Sequence, residues 1–123
     1  EDVCQALGFS SKLKYQSDGG PGIKEIMELL LGARDPNLER ERFFRSQILF
    51  WLLWAIDGHA KNFSLFIQSE GRYKLTPLYD IMSAFPVIHL KQLHERKVAM
   101  AMALKGKNTH YKWFDCKGSH FMD

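Results

Sequence analysis

Nine consecutive apolar residues, Ile48-Leu49-Phe50-Trp51-Leu52-Leu53-Trp54-Ala55-Ile56, run without interruption into Asp57. At helical pitch such a run sends a hydrophobic side chain in every direction, and a helix greasy all around has to be surrounded by protein. Nine residues fall far short of the roughly 20 that a membrane-spanning helix needs. The expectation is therefore a buried central helix. Its start lies upstream, where Asp35-Pro36-Asn37 joins a capping side chain to a proline suited to the first turn. A helix over Leu38 to Ile56 follows, with Glu39, Arg40, Glu41, Arg42 and Arg45 on a solvated first half.

Around this helix the chain reads as one domain over residues 1–123, since 46% hydrophobic and 25% charged residues are globular values. Glu1 to Leu7 predicts one or two helical turns closed by Gly8. Ser10 to Gly22 holds the breakers Asp18-Gly19-Gly20-Pro21-Gly22 and predicts a loop with turns. Ile23, Ile26, Met27, Leu30 and Leu31 recur at spacings of three and four, an amphipathic helix that Gly32 ends. Phe63 to Gln68 and Arg72 to Leu75 are strand-like runs around Ser69-Glu70-Gly71, a three-residue hairpin loop with glycine. Leu78 to Met82 leads to a turn or short helix ended by Pro86, Val87 to Leu93 is mixed, Lys97 to Leu104 reads as strand or helix, and residues 105–123 have no clear period.

The chemistry concentrates where the apolar run ends. Asp57-Gly58-His59-Ala60-Lys61-Asn62 sets a carboxylate and an amide five residues apart, and Asp80 follows eighteen residues after Asn62. A protein-kinase catalytic loop uses that Asp to Asn spacing, with the Asp orienting the attacking hydroxyl and the Asn helping to hold magnesium. Magnesium takes oxygen donors, and Asp80 with the Asn62 side-chain oxygen meets that demand. Lys61 or His59 would neutralise phosphate charge between them. By itself a DxxxxN match is usually a cap or turn. The apolar helix before it, the hairpin after it and the returning Asp80 raise its weight.

Two longer stretches complete the pattern: Asp57-Gly58-His59-Ala60-Lys61-Asn62-Phe63-Ser64-Leu65, and Leu75-Thr76-Pro77-Leu78-Tyr79-Asp80-Ile81-Met82-Ser83-Ala84-Phe85-Pro86. With Lys14-Tyr15 and Ser17-Asp18-Gly19-Gly20-Pro21-Gly22 upstream, the chain closely resembles the HipA family of bacterial toxin kinases over about residues 1–104. The resemblance implies a mainly α fold with a small β-hairpin, the C-terminal lobe of a protein-kinase-like architecture. It further implies an ATP- and Mg-dependent Ser/Thr kinase toxin, acting on translation components such as aminoacyl-tRNA synthetases and held by a HipB-like DNA-binding antitoxin; the low count of cysteines, without CxxC spacing, points to a reducing cytoplasm. Carried over by position, Asp57 is the catalytic Asp, Asn62 and Asp80 are the magnesium ligands, and His59 and Tyr79 stand beside the nucleotide. Asp80-Ile81-Met82 occupies the place of the DFG triplet of other kinases.

A kinase also needs a phosphate-covering glycine loop and a strand lysine on the nucleotide. Asp18 to Gly22 has the glycines but no such lysine after it. The chain is thus expected to be a large-lobe core truncated at both ends, which alone would bind nucleotide weakly and turn over poorly. The rival reading is a non-catalytic module that binds an antitoxin or a separate N-terminal lobe; a metal-dependent phosphohydrolase is weaker, because the Asp to Asn spacing has its specific use in kinases.

The remaining features say less. Seventeen Lys and Arg against fourteen Asp and Glu give a net charge of +3, far from a nucleic-acid signature, and Glu39 and Glu41 break up the basic residues Arg40, Arg42 and Arg45. No direct nucleic-acid or membrane contact is expected. Cys4 and Cys116 lie far apart without CxxC spacing and read as two thiols. His110, Cys116 and His120 lack the paired ligands of a zinc site, and His89 and His94 read as surface or packing residues. No secretory signal is recognisable in the chain.

Overall fold

A computed structural model describes residues 1–90, 98–105, 109–112 and 115–122. The described elements are α1 (Val3–Ala6), α2 (Ile23–Leu29), α3 (Pro36–Leu53), β1 (Leu65–Ile67), β2 (Tyr73–Leu75), α4 (Phe85–His89), β3 (Ala99–Lys105) and β4 (Thr109–Lys112), joined by short 3-10 turns. β1 and β2 form one antiparallel hairpin, β3 and β4 another.

Helix α3 starts as its sequence predicts. Asp35 caps it by accepting the Leu38 amide at 3.1 Å, with Pro36 in the first turn. It ends three residues before Ile56, because Trp54 takes a left-handed conformation (φ 55°) and turns the chain towards Asp57. Its burial differs from expectation. The inward stripe is Glu39, Phe43, Ser46, Gln47 and Phe50, whereas Leu49, Leu52 and Leu53 are exposed. The apolar run is therefore buried along one side only. Hydrophobicity did not mark the buried face because that face carries three polar residues, each held by a specific partner.

Glu39 shows how. Expected on a solvated face, it is 3% exposed, and its carboxylate takes the Arg42 guanidinium at 3.0 Å and the Leu75 amide at 3.1 Å. Arg42 also donates to the Leu75 carbonyl at 3.4 Å. A buried carboxylate is tolerable only with such partners, and this one fastens α3 to β2. Arg45 and Lys24 pair on the surface with Glu41 and Glu28.

The first hairpin lies inside its predicted limits, in the register Leu65↔Leu75, Phe66↔Lys74 and Ile67↔Tyr73. Glu70 and Gly71, both at positive φ (63° and 72°), make the bend. Ahead of the hairpin, the Val3 amide donates to the Phe63 carbonyl at 3.0 Å, tying α1 to the segment that leaves the Asp57 loop. Val3, Cys4, Ile26, Leu30, Phe43, Phe50, Ala60, Phe63, Leu65, Leu75 and Met102 form the core. Phe63 sits in its middle, edge-on to Phe43 at 4.9 Å between ring centres.

One element departs from expectation and an open one is decided. Pro86 lies at the start of α4 instead of closing a helix, where a proline forfeits no hydrogen bond and its fixed φ suits the first turn. The ambiguous stretch up to Leu104 is strand over its described part, β3, with residues 100–104 buried throughout. A strand covered on both faces loses the alternation that would reveal it. It makes a second hairpin, irregular between Ala99 and Leu104, where the sequence predicted one. Residues 91–97, the tail of the mixed stretch and His94 among them, lie outside the described residues.

Candidate active site

Asp57 opens a tight loop. The His59 amide bonds back to the Asp57 carbonyl at 2.9 Å, and Ala60–Asn62 complete a 3-10 turn in which the Asn62 amide donates to the His59 carbonyl at 2.9 Å. Gly58 is required by packing: a Cβ there would stand 2.4 Å from two carbons of the Phe50 ring. The loop lies directly on the core, with Ala60 and Phe63 buried beneath it.

Within this frame Asp57, Asn62, Tyr79 and Asp80 line one cleft, floored by Phe50, Ala55, Gly58 and Ile81. The Asn62 side chain is buried, and its oxygen accepts the His59 amide at 3.2 Å. That N–H can only donate, which fixes the amide orientation and leaves the second lone pair of the oxygen available. Asp80 is exposed and stands at positive φ (58°), a conformation uncommon outside glycine. Local strain of this kind collects at functional sites. Tyr79 fastens the two segments: its hydroxyl donates to the Lys61 carbonyl at 2.8 Å and lies 2.7 Å from the Ser64 hydroxyl.

His59, expected beside a nucleotide, is instead 5% exposed and packs edge-on against Tyr15 at 4.9 Å. Its Nε2 faces the Asp57 carboxylate at 3.6 Å, beyond hydrogen-bond range. Its Nδ1 finds no partner among the described residues. Burial pushes its pKa below the ordinary value despite the nearby Asp57 charge, so the ring is neutral at pH 7. Lys61 is half-buried on the same turn.

Tyr15 was not among the residues singled out for the site. Its hydroxyl donates to Asp57 Oδ1 at 2.5 Å across 42 residues of sequence. That bond, then burial, raises its pKa to about 12. Only the proximity of the Lys14-Tyr15 pair to the glycine cluster hinted at it.

The cleft is closed down to about 0 Å3 of space that a water-sized sphere can occupy, whereas ligand pockets run to roughly 300–1,000 Å3. A larger hollow of about 410 Å3 lies between α3 and β2, lined by Arg42, Arg45, Leu49 and Leu78, but none of the predicted site residues reaches it. Convergent polar groups outweigh size here. Among the described residues no three His, Cys, Asp or Glu side chains gather to hold a metal. The rings of His110 and His120 lie face to face at 4.0 Å, which sets their in-plane lone pairs side by side instead of converging.

A core helix feeding a carboxylate loop, with a hairpin that returns a second carboxylate to it, defines a kinase-like fold of the HipA type. The structure superposes on that of the Shewanella oneidensis HipA, HipB and operator DNA complex with a TM-score of 0.81, at 24% identity over 99% of this chain and 30% of that one. The family described as HipA-like C-terminal domain matches residues 1–122, and the chain belongs to it. The Y4mE protein of Sinorhizobium fredii is 40% identical over 90 residues, 70% of this chain and 21% of that protein. The serine/threonine-protein kinase toxin HipA of Shewanella oneidensis is 31% identical over 112 residues, 82% of this chain and 25% of that protein. The chain thus spans between a fifth and a third of the length of these relatives.

Proposed function

We propose that this chain supplies the metal-and-hydroxyl half of a Ser/Thr protein kinase active site. The observation that carries the reading is the shared cleft: Asp57 and Asn62 of one loop and Asp80, which returns to it eighteen residues after Asn62, line one cleft. Asp57 accepts the proton of the substrate hydroxyl as its oxygen attacks the γ-phosphorus of ATP, the bond to the β-phosphate oxygen breaks, and ADP departs. The exposed Asp80 carboxylate and the free lone pair of Asn62 Oδ1 are hard oxygen donors that suit magnesium. When bound, that ion would neutralise phosphate charge. Lys61 adds a positive charge on the same loop, and Tyr79 keeps the Asp80 segment against it. The grip on the nucleotide phosphates comes from an N-terminal lobe. His59, being buried, supports the loop.

The Shewanella relative, a serine/threonine-protein kinase toxin, supports a toxin role; a translation component as substrate rests on the motif resemblance alone. The complex of its structural counterpart with HipB supports a HipB-like antitoxin as partner. No helix among the described residues is long and apolar enough to cross a membrane. A non-catalytic docking role is favoured by one observation, the exposed Leu49, Leu52, Leu53, Met82 and Phe85.

One assay separates the two readings. The chain is supplied with a family N-terminal lobe, in cis or as a separate chain, and phosphate transfer from labelled ATP is measured. Loss of a positioned base lowers the rate about 10²- to 10⁴-fold, so Asp57→Asn should abolish transfer that wild type performs. Equal signal from both proteins would reject the kinase reading.

A further inference from the structure

The glycine cluster before α2 is folded tightly against the site although no catalytic role attaches to it. The Tyr15 carbonyl accepts the amides of Asp18 (3.1 Å) and Gly20 (2.9 Å). A Cβ on Gly20 would stand 2.1 Å from the Leu13 carbonyl oxygen and 2.8 Å from that of Tyr15, so only glycine lets the loop close there. Gly19 reverses the chain at φ 94°. The neighbouring Gln16 is pinned from the other side, its Oε1 accepting the Ala103 amide of β3 at 2.8 Å. Gly22 leaves room for that side chain, since a Cβ there would fall 2.5 Å from the Gln16 amide carbon. Tyr15 is thus mounted on a loop closed by its own hydrogen bonds and braced by β3.

What the mount presents is the phenol hydroxyl, 2.5 Å from Asp57 Oδ1, with its ring steadied against His59. His59 Nε2 faces the same oxygen. Among the described residues no bond reaches Oδ2, and the Asp57 side chain is 51% exposed. A half-exposed aspartate at a loop start would otherwise change rotamer freely, whereas a base must hold its oxygen within hydrogen-bond reach of the acceptor proton. We propose that Tyr15 is a positioning residue: it pins Oδ1 of Asp57 so that Oδ2 is the oxygen offered to the acceptor hydroxyl, and the Lys14–Gly22 loop is its mount. This rests on the kinase reading of the site.

The test uses the chain joined to a family N-terminal lobe, comparing wild type, Tyr15→Phe and Asp57→Asn. Phenylalanine keeps the ring against His59 and removes only the hydroxyl. Misplacing a reacting group by about 1 Å costs about 10²-fold in rate, so Tyr15→Phe should lower kcat roughly 10- to 100-fold and leave KM for ATP unchanged. A Tyr15→Phe protein with wild-type kcat would overturn the proposal, as would an equal fall in apparent ATP affinity. Asp57→Asn transferring as well as wild type would instead overturn the kinase reading, and this proposal with it. A readout independent of activity is the phenol absorbance of wild type minus Tyr15→Phe, which isolates Tyr15 among Asp57, Asp18, Lys14 and His59 around it. It should titrate near 12 and move towards the ordinary 10 in Asp57→Asn. The same midpoint in both would mean the contact is not made and would also overturn the proposal.

Discussion

Gly58→Ala offers a sharp test of how the site is held. The added methyl would lie 2.4 Å from Cδ2 and Cε2 of Phe50 and 3.3 Å from its Cζ. Carbon atoms pack at about 3.5 Å or more, so ring and loop must separate by about 1 Å. Phe50 is 4% exposed and packed against Phe63 at 5.9 Å between ring centres, which leaves the loop as the part that yields. Overpacking a core costs about 1–3 kcal/mol, offset by about 0.4–1 kcal/mol because alanine restricts the unfolded chain. A net loss of about 1–2 kcal/mol in urea unfolding is expected, with a fall in transfer rate of about 10²-fold if Asp57 moves by the same 1 Å. Because Gly58 is not among the glycines at positive φ, the ring and not the backbone is the cause. Phe50→Leu should therefore relieve part of the penalty, with a coupling of about 1 kcal/mol in a double-mutant cycle. Stability within 0.5 kcal/mol of wild type, or strict additivity with Phe50→Leu, would refute the reasoning.

Other perturbations probe the remaining supports. Glu39→Ala leaves the buried Leu75 amide and the half-exposed Arg42 without their carboxylate and should cost about 2–4 kcal/mol in chemical denaturation. Because the pKa of folded His59 lies below that of the unfolded chain, the unfolded state takes up the proton first. Stability should then decline as pH falls from about 6.5 through the folded pKa, and pH-dependent unfolding of His59→Gln should lack that slope. Cys4 and Cys116 are both buried and burial raises both thiol pKa values, Cys116 to about 11. Iodoacetamide at pH 8 should label them only after denaturant is added; fast native labelling would contradict their placement.

The sequence alone determined the local pieces whose signals are short-ranged. The cap at Asp35-Pro36 and the bend at Ser69-Glu70-Gly71 stand where their turn chemistry puts them, because each depends on neighbours a few residues away, whereas α2 ends at Leu29 and Gly32 closes a 3-10 turn after it without positive φ. The spacing of Asp57, Asn62 and Asp80, with the hairpin between them, likewise foretold that they would meet. Tertiary structure decided what spacing cannot encode. Which side of α3 is buried turned on the partners of Glu39, and β3 was hidden by being covered on both faces. The direction of His59 and the reach of Tyr15 to Asp57 were settled by the mount that Gly20 allows and β3 braces. A contact spanning 42 residues leaves no periodic trace in the chain, since it depends on where two loops come to rest on the same core.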